Sequence, residues 1–322
     1  MKVLREIVKL LICPLLLAVI IILFMWIYVI EYPCNYFRDT YQSMIQDRYE
    51  ILINETKPKI IIIGGSSVAF GLDSEMLSAE TGYPVANMGL HAGFGGVFNT
   101  EIAKANIGKG DVILLAYEYK WCTQESYFKE LGVDLVMSGI DSKIEMYKYI
   151  PLKNWPEIIG YLPTYYTKKT IEPYATGAYC REAFNENAQM VYNRQPSLNS
   201  YEENIATYGS VVIDNLEIPE YTVHYLRDFK EYCEKNGASI YFVAPPLYYE
   251  ANKSEDSSFI KLVEQEENKI GIPYISNPLE YIYPNEYIYD TIYHCSSEGE
   301  TVRTKQLIND LKNAGIYNKG KD

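Results

Sequence analysis

Histidine is scarce in this chain: His91, His224 and His294 are the only three among 322 residues. Any chemistry that needs an imidazole base must draw on one of them. The six cysteines form no CxxC pair, and Cys13 falls in an apolar run, leaving Cys34, Cys122, Cys180, Cys233 and Cys295. An odd count with such spacing argues against a metal site and against a regular disulfide framework. One or two bridges stay open in an oxidising compartment. The GxGxxG and GxxxxGK[ST] patterns are missing, which removes the usual glycine-rich cradles for dinucleotides and nucleotide phosphates. No metal or other cofactor is therefore expected. Basic charge is also in deficit, with 29 Lys and Arg against 42 Asp and Glu, a net −13 and a pI near 4.9. Such a body repels a phosphate backbone, so nucleic acid is not an expected partner.

What the chain does have begins with a long apolar run. Leu10 to Ile30 holds no charged residue. Its 21 residues rise about 31 Å as a helix, enough to cross a hydrocarbon core of about 30 Å. Lys2, Arg5 and Lys9 precede it, and Glu31 and Asp39 are among the first charges after it. Positive charge stays inside, so the N-terminus is expected in the cytoplasm and the rest outside. A cleaved signal peptide is the alternative. Its apolar core is usually shorter and ends in small residues, whereas this run ends in bulky aromatic "MWIYVIEYPCNYF". An uncleaved single-pass anchor over 10–31 is the reading taken. The first 31 residues hold three basic and two acidic groups, so the exported part carries 26 against 40, a net −14.

Hydrophobic residues make up 48% and charged residues 22%, an ordinary globular balance. Beyond the anchor, strand and helix signals alternate. "PKIIIIGG" (58–65) reads as a central parallel strand, being a β-branched run between a proline and glycines. "DSEMLSAETG" (73–82) reads as a short helix with a capping aspartate and a closing glycine. "YPVANMG" follows as a strand, "FNTEIAKANIGKG" as a helix, and "DVILLAYEY" (111–119) as a third strand. Further on come a long amphipathic helix, "PEYTVHYLRDFKEYCEKNG", and a strand, "ASIYFVAPP" (238–246). A helix "SSFIKLVEQEENKIG", a short strand "IPYIS" and a closing helix "EGETVRTKQLINDLKNAG" complete the series. Alternation of this kind implies an α/β fold in three layers, a parallel sheet covered by helices on both faces. No internal repeat is present.

Between 120 and 218 the pattern dissolves into Tyr, Pro and Thr with short periodic pieces. Long irregular insertions are often lids or binding surfaces, and just as often ordinary satellite subdomains. The chain has 32 tyrosines, a residue that suits polar-ligand surfaces as well as cores. The expected division is a cytoplasmic 1–9, an anchor at 10–31, a juxtamembrane linker or helix at 32–57, and one domain over 58–322. The insertion at about 120–218 belongs to that domain.

Ligands of an open parallel sheet sit at the carboxyl ends of its strands. After the first strand stands Gly64-Gly65-Ser66-Ser67. The glycines permit a sharp turn, and a serine at the start of the next helix can act as a nucleophile whose own N–H helps hold an oxyanion. Such a serine needs a base. His224 lies inside the amphipathic helix, where a structural role suits it. His294 sits in "YIYDTIYHCSSEGETV" just before the last helix, four residues after Asp290. One loop could thus deliver the imidazole and the carboxylate that fixes its tautomer.

This order of Gly-x-Ser, an Asn/Gly-rich turn and a terminal Asp…His resembles the SGNH (GDSL-type) hydrolase superfamily. Within it, the chain resembles the membrane-anchored, DltD-like branch that modifies surface polymers. The resemblance spans about 58–119 and 219–315. It implies Ser66 as nucleophile, with Ser67 the register alternative, and Asp290 and His294 as the terminal pair. "NMGLHAGFGG" (87–96) matches the second block and implies an oxyanion N–H from Gly93, with Asn87 and Gly89 shaping the turn. The family's third block usually supplies an asparagine amide. This chain has "LLAYEYKWC" there, with Glu118 and Tyr119. A carboxylate accepts hydrogen bonds and does not stabilise an oxyanion. Tyr119, Asn87 or the insertion are the candidates to replace the lost donor. Gly65 and His91 complete the expected pocket.

Three functions follow from the resemblance. One is an esterase or O-acyltransferase acting on acyl esters, most simply acetyl, of envelope glycans. Another is a non-catalytic glycan-binding or assembly component using the tyrosine-rich insertion. A third is transfer in concert with a multi-spanning membrane acyl-donor protein.

Overall fold

The computed structural model describes residues 2–317 except 33, 90, 120–123, 170, 172–174 and 199–200. Leu90 in the second glycine-rich block, and Cys122 with the start of the insertion, lie outside the described residues. The chain begins with a helix, α1 (Lys2–Glu31), of which Arg5–Val29 is long and apolar enough to cross a membrane, with a mean hydropathy of 3.1. Helix α2 (Met44–Asn54) then brings the chain onto the sheet, burying Ile45, Tyr49 and Leu52.

The sheet itself is parallel and four-stranded, in the order β2-β1-β3-β4. Strand β1 is Ile60–Gly64, and a short helix α3 (Ser66–Ala69) follows it at once. Helix α4 (Ser74–Thr81) leads to β2 (Val85–Gly89). Helix α5 (Gly96–Ala103) leads to β3 (Val112–Ala116). The register sets Gly64 beside Gly89 on one side and Ala116 on the other, so the three carboxyl ends finish level. Every residue of β1 and β3 is buried. Ile61 and Ile63 face one core with Phe94, Phe98 and Tyr49, while Ile60 and Ile62 face another with Val68, Leu77 and Leu307. An unbroken isoleucine run is thus what a strand covered on both faces requires.

Local chemistry sets the element ends. The Asp73 carboxylate accepts the Met76 N–H at 2.8 Å and caps α4, and Gly82 ends it at φ 78°. In the insertion, helices stand where the sequence reads as irregular, among them α6 (Glu125–Lys129), α7 (Val133–Ile140) and α8 (Trp155–Lys168). Pro156 at the first turn of α8 is permitted there, but Pro163 inside it conceals the helix from a propensity reading. Helix α9 (Glu220–Lys235) precedes β4 (Ser239–Phe242). A two-residue parallel pair, β5 (Leu247–Tyr248) with β6 (Ile282–Tyr283), was not anticipated. Between them lies α10 (Asp256–Gln265). The expected strand "IPYIS" contributes only the single bridge of Tyr274 to Phe242, with Phe242 N–H donating to the Pro273 carbonyl and Ile275 N–H to the Phe242 carbonyl, because β4 ends at Phe242. Helix α11 (Ser297–Asn313) closes the fold. Among the described residues Cys13, Cys34, Cys180, Cys233 and Cys295 are all unpaired.

Candidate active site

Ser66 is the first residue of α3, placed directly beyond the last residue pair of β1 by Gly65. Its side-chain oxygen lies 2.9 Å from His294 Nε2. On the other side of the ring, His294 Nδ1 lies 2.9 Å from Asp290 Oδ1. The arrangement fixes the tautomer: Nδ1–H donates to the carboxylate, and the Nε2 lone pair faces the serine hydroxyl. The Asp290–His294 loop owes its shape to a narrow closure, with Tyr289 N–H donating to the His294 carbonyl at 2.8 Å and Ile288 bridging Cys295. Cys295 N–H then donates to the Phe70 carbonyl at 3.2 Å, tying this loop to the serine turn. Ser296 caps α11 through the Gly299 N–H.

Several supporting residues escaped sequence reasoning. Phe70 stacks on the His294 ring at 4.3 Å and 8°, which blocks its rotation. The Tyr179 hydroxyl donates to Asp290 Oδ2 at 2.6 Å, so both carboxylate oxygens are held. Burial, followed by the negative charge of Asp290, keeps that phenol well above its ordinary range, so it stays a donor. Buried Arg303 donates to the carbonyls of Ser67 (2.6 Å) and Gly71 (3.2 Å), bracing the nucleophile turn. Arg194 donates to the Phe70 carbonyl at 2.7 Å and to Glu300 at 2.6 Å. Phe70 stood in plain sight four residues after Ser66; nothing local marks Tyr179, Arg194 or Arg303, which lie 113, 128 and 237 positions away.

The expected oxyanion donors are arranged differently. The Gly93 N–H donates to His91 Nδ1 at 2.9 Å and is not free, although Gly93 lines the cavity. Asn87 turns its amide to Ser74 Oγ at 3.3 Å and takes the Gly89 N–H on its carbonyl at 2.9 Å, so it shapes the turn and offers the cavity nothing. Tyr119 is buried edge-on against Phe259 at 5.1 Å and is not among the residues lining the cavity that holds Ser66. Ser67 does not cap α3. Its hydroxyl is fully buried with no hydrogen-bond partner among the described residues, while its N–H donates to Glu118 Oε1 at 3.0 Å. Gly89 is needed for close packing, since a Cβ there would lie 2.4 Å from Val68. His224 is an exposed helix residue near Glu220.

His91, Glu118, Ser66, Gly93 and His294 share one cavity of about 390 Å³ with Tyr41, Tyr179, Tyr208 and the Thr291–Tyr293 loop. Because His91 Nδ1 accepts the Gly93 N–H, the neutral ring carries its proton on Nε2, which has no partner among the described residues. Burial, and then the charge of nearby His294, push its pKa down to about 4, so the ring is neutral at physiological pH. Glu118 is 1% exposed, and its Oε2 has no hydrogen-bond partner among the described residues. The cavity therefore presents one nucleophile–base pair and one neutral imidazole donor, with the Glu118 carboxylate buried in its wall. Among the described residues no cluster of three or more His, Cys, Asp or Glu could hold a metal ion.

No family model matches the chain, and no curated protein matches it. Among solved structures, it is similar to protein YxiM from Bacillus subtilis at 14% identity with a TM-score of 0.37, over 81% of this chain. This chain spans 58% of the length of that one.

Proposed function

We propose that this protein is a membrane-anchored, outward-facing serine esterase or O-acyltransferase of SGNH type. Its substrates are acyl esters, most simply acetyl, of envelope glycans. The observation that carries the reading is the unbroken hydrogen-bond chain Ser66 Oγ, His294, Asp290, with 2.9 Å at each link. In this reading Ser66 Oγ attacks the ester carbonyl carbon as its proton passes to His294 Nε2. The tetrahedral oxyanion is met by the Ser66 N–H, which heads α3 with no partner among the described residues, and by the Nε2–H of His91. His294 returns the proton to the departing alcohol, leaving acyl-Ser66. Water or a glycan hydroxyl then attacks that ester, again giving its proton to His294, which restores Ser66 Oγ–H. Asp290, held by Tyr179, stabilises the imidazolium in both halves. A further form of the transfer reading draws the acyl group from a multi-spanning membrane acyl-donor protein.

The test uses the full-length chain in detergent with a fluorophosphonate probe and p-nitrophenyl acetate. Labelling and hydrolysis are expected from the parent and lost in Ser66→Ala and His294→Ala. Activity surviving both substitutions would sink the assignment. The carboxylate at Glu118, where an oxyanion amide would serve, favours a second reading as a non-catalytic glycan-binding component. Absence of probe labelling together with retained glycan binding would select it.

A further inference from the structure

The domain does not merely hang from its anchor. The uncharged run of α1 rises about 31 Å, which fills a hydrocarbon core to about residue 30. Yet Val29 is fully buried in the main core, and Ile22, Met25 and Trp26 pack against that core. These positions, three or four residues apart, form one face over the last two turns. The domain therefore reaches down beside the anchor for about 10 Å of its rise.

The element found there is α8. Trp155 meets Trp26 at 5.6 Å between ring centroids, and Tyr166 meets Tyr28 at 4.6 Å. Trp155 and Tyr166 are separated by about 16 Å along α8, whereas Trp26 and Tyr28 are separated by about 3 Å along α1. Two contacts so far apart on one helix and so close on the other favour a crossing over a side-by-side alignment, with α8 running across α1.

Its outward surface is graded. Ile158, Leu162 and Tyr165 are buried against the domain. At about 100° per residue, Ile159, Pro163, Pro156, Thr167 and Gly160 fall in one arc of about 100° adjoining the α1 side. None of the five carries a charge. Glu157 and Lys168 fall beyond that arc, and Lys168 pairs with Asp134 at 3.0 Å. Lys153, just before the helix, donates to the Tyr221 hydroxyl. Ile159 is 40% exposed and the preceding Leu152 is 87% exposed. Exposed apolar side chains next to a membrane span, with rings of Trp and Tyr at the junction, are the composition of an interfacial element.

We infer that α8 is a second membrane-contact element, lying flat in the outer leaflet with Leu152 and Ile159 at the boundary between headgroups and acyl chains. The inference rests on reading α1 as a span and is independent of the proposed enzymatic activity. The anchor and α8 together hold the domain at two points and restrict its rotation above the bilayer.

Site-specific photo-crosslinking of the full-length chain in phosphatidylcholine–phosphatidylglycerol vesicles tests it. p-Benzoylphenylalanine is placed singly at Phe24, Leu152, Ile159, Tyr249 or Ile260, all exposed side chains. Position 24 reports insertion of the anchor, and 249 and 260 report exposed apolar sites elsewhere on the domain. Lipid adducts at 152 and 159 about tenfold above those at 249 and 260 are expected for a surface seated in the interface. Lipid adducts at 24 with only background at 152 and 159 would overturn the inference. So would protein–protein crosslinks at 152 and 159 in place of lipid adducts.

Discussion

Ser66 can stand where it does because Gly65 lacks a side chain. A Cβ at Gly65 would lie 2.5 Å from both carboxylate oxygens of Glu118, and that group is buried with nowhere to retreat. Gly65→Ala is expected to displace Glu118, break its bond to the Ser67 N–H and lower stability by about 1–3 kcal/mol. A denaturant midpoint beside an esterase rate measures both effects. His91 carries a different burden. In the proposed function His91 is an oxyanion donor, and losing such a donor costs about 10²–10³ in rate; on that reading His91→Ala is expected to lower kcat by that order with KM nearly unchanged, while probe labelling of Ser66 persists at a slower rate. His91 also sets a pH dependence. Its folded pKa, about 4, lies below the ordinary 6.5, so the unfolded chain binds the proton more strongly. The stability this confers is complete above pH 6.5 and is lost as pH falls towards 4, by about 3 kcal/mol at most. Denaturation midpoints between pH 4 and 7 should show that slope in the parent and a flatter one in His91→Gln. At this scale the sequence marks Ser66, Asp290 and His294, because each sits in a short signal of its own. It is silent on Phe70 and Tyr179, whose roles depend on ring stacking and a hydroxyl direction that no local pattern encodes.

Among elements, α11 does more than close the fold. Its Glu300 and Arg303 reach the serine turn, Arg303 by direct bonds and Glu300 through Arg194 to the Phe70 carbonyl. Burial raises the pKa of Glu300 above its ordinary value despite the neighbouring Arg194, a sign of how far the pair is from water. Removing one partner leaves a buried charge unanswered, so Arg194→Met is expected to cost about 3–5 kcal/mol. Arg194→Met with Glu300→Leu should recover much of that loss, which a double-mutant cycle of unfolding free energies would register. Strands β1 to β4 were legible from their apolar runs and the glycines or prolines that bound them, whereas the two-residue β5 and β6 were not. Helix α8 was not, since a proline inside it and a tyrosine-rich composition hide a periodicity that only packing against α1 and α7 makes worthwhile.

For the whole molecule, the junction between α1 and the rest of the fold is the decisive contact. Buried Lys169 forms an ion pair with Asp141 at 2.9 Å and donates to the Val29 carbonyl at 2.7 Å and to that of Tyr32, engaging carbonyls at the end of α1. Asp141 in turn accepts the Tyr165 hydroxyl at 2.6 Å and the Cys34 N–H at 2.5 Å. Lys169→Met would leave Asp141 without its cation and those carbonyls without their donor. Faster proteolysis near residues 31–36 and a midpoint lowered by about 3–5 kcal/mol are expected, measured by limited digestion and denaturation of the full chain.

Sequence alone determined the apolar span, the alternation that builds a parallel sheet, and the chemical identity of the residues gathered at its carboxyl edge. These follow from length, charge and periodicity, which are properties of neighbours along the chain. Tertiary structure decided the rest. It engaged the Gly93 N–H with His91, set Glu118 against Gly65, stacked Phe70 on His294, and packed α8 against α1. Each of these depends on the distance and direction between groups that only the packed fold brings together, and a linear pattern carries no such information.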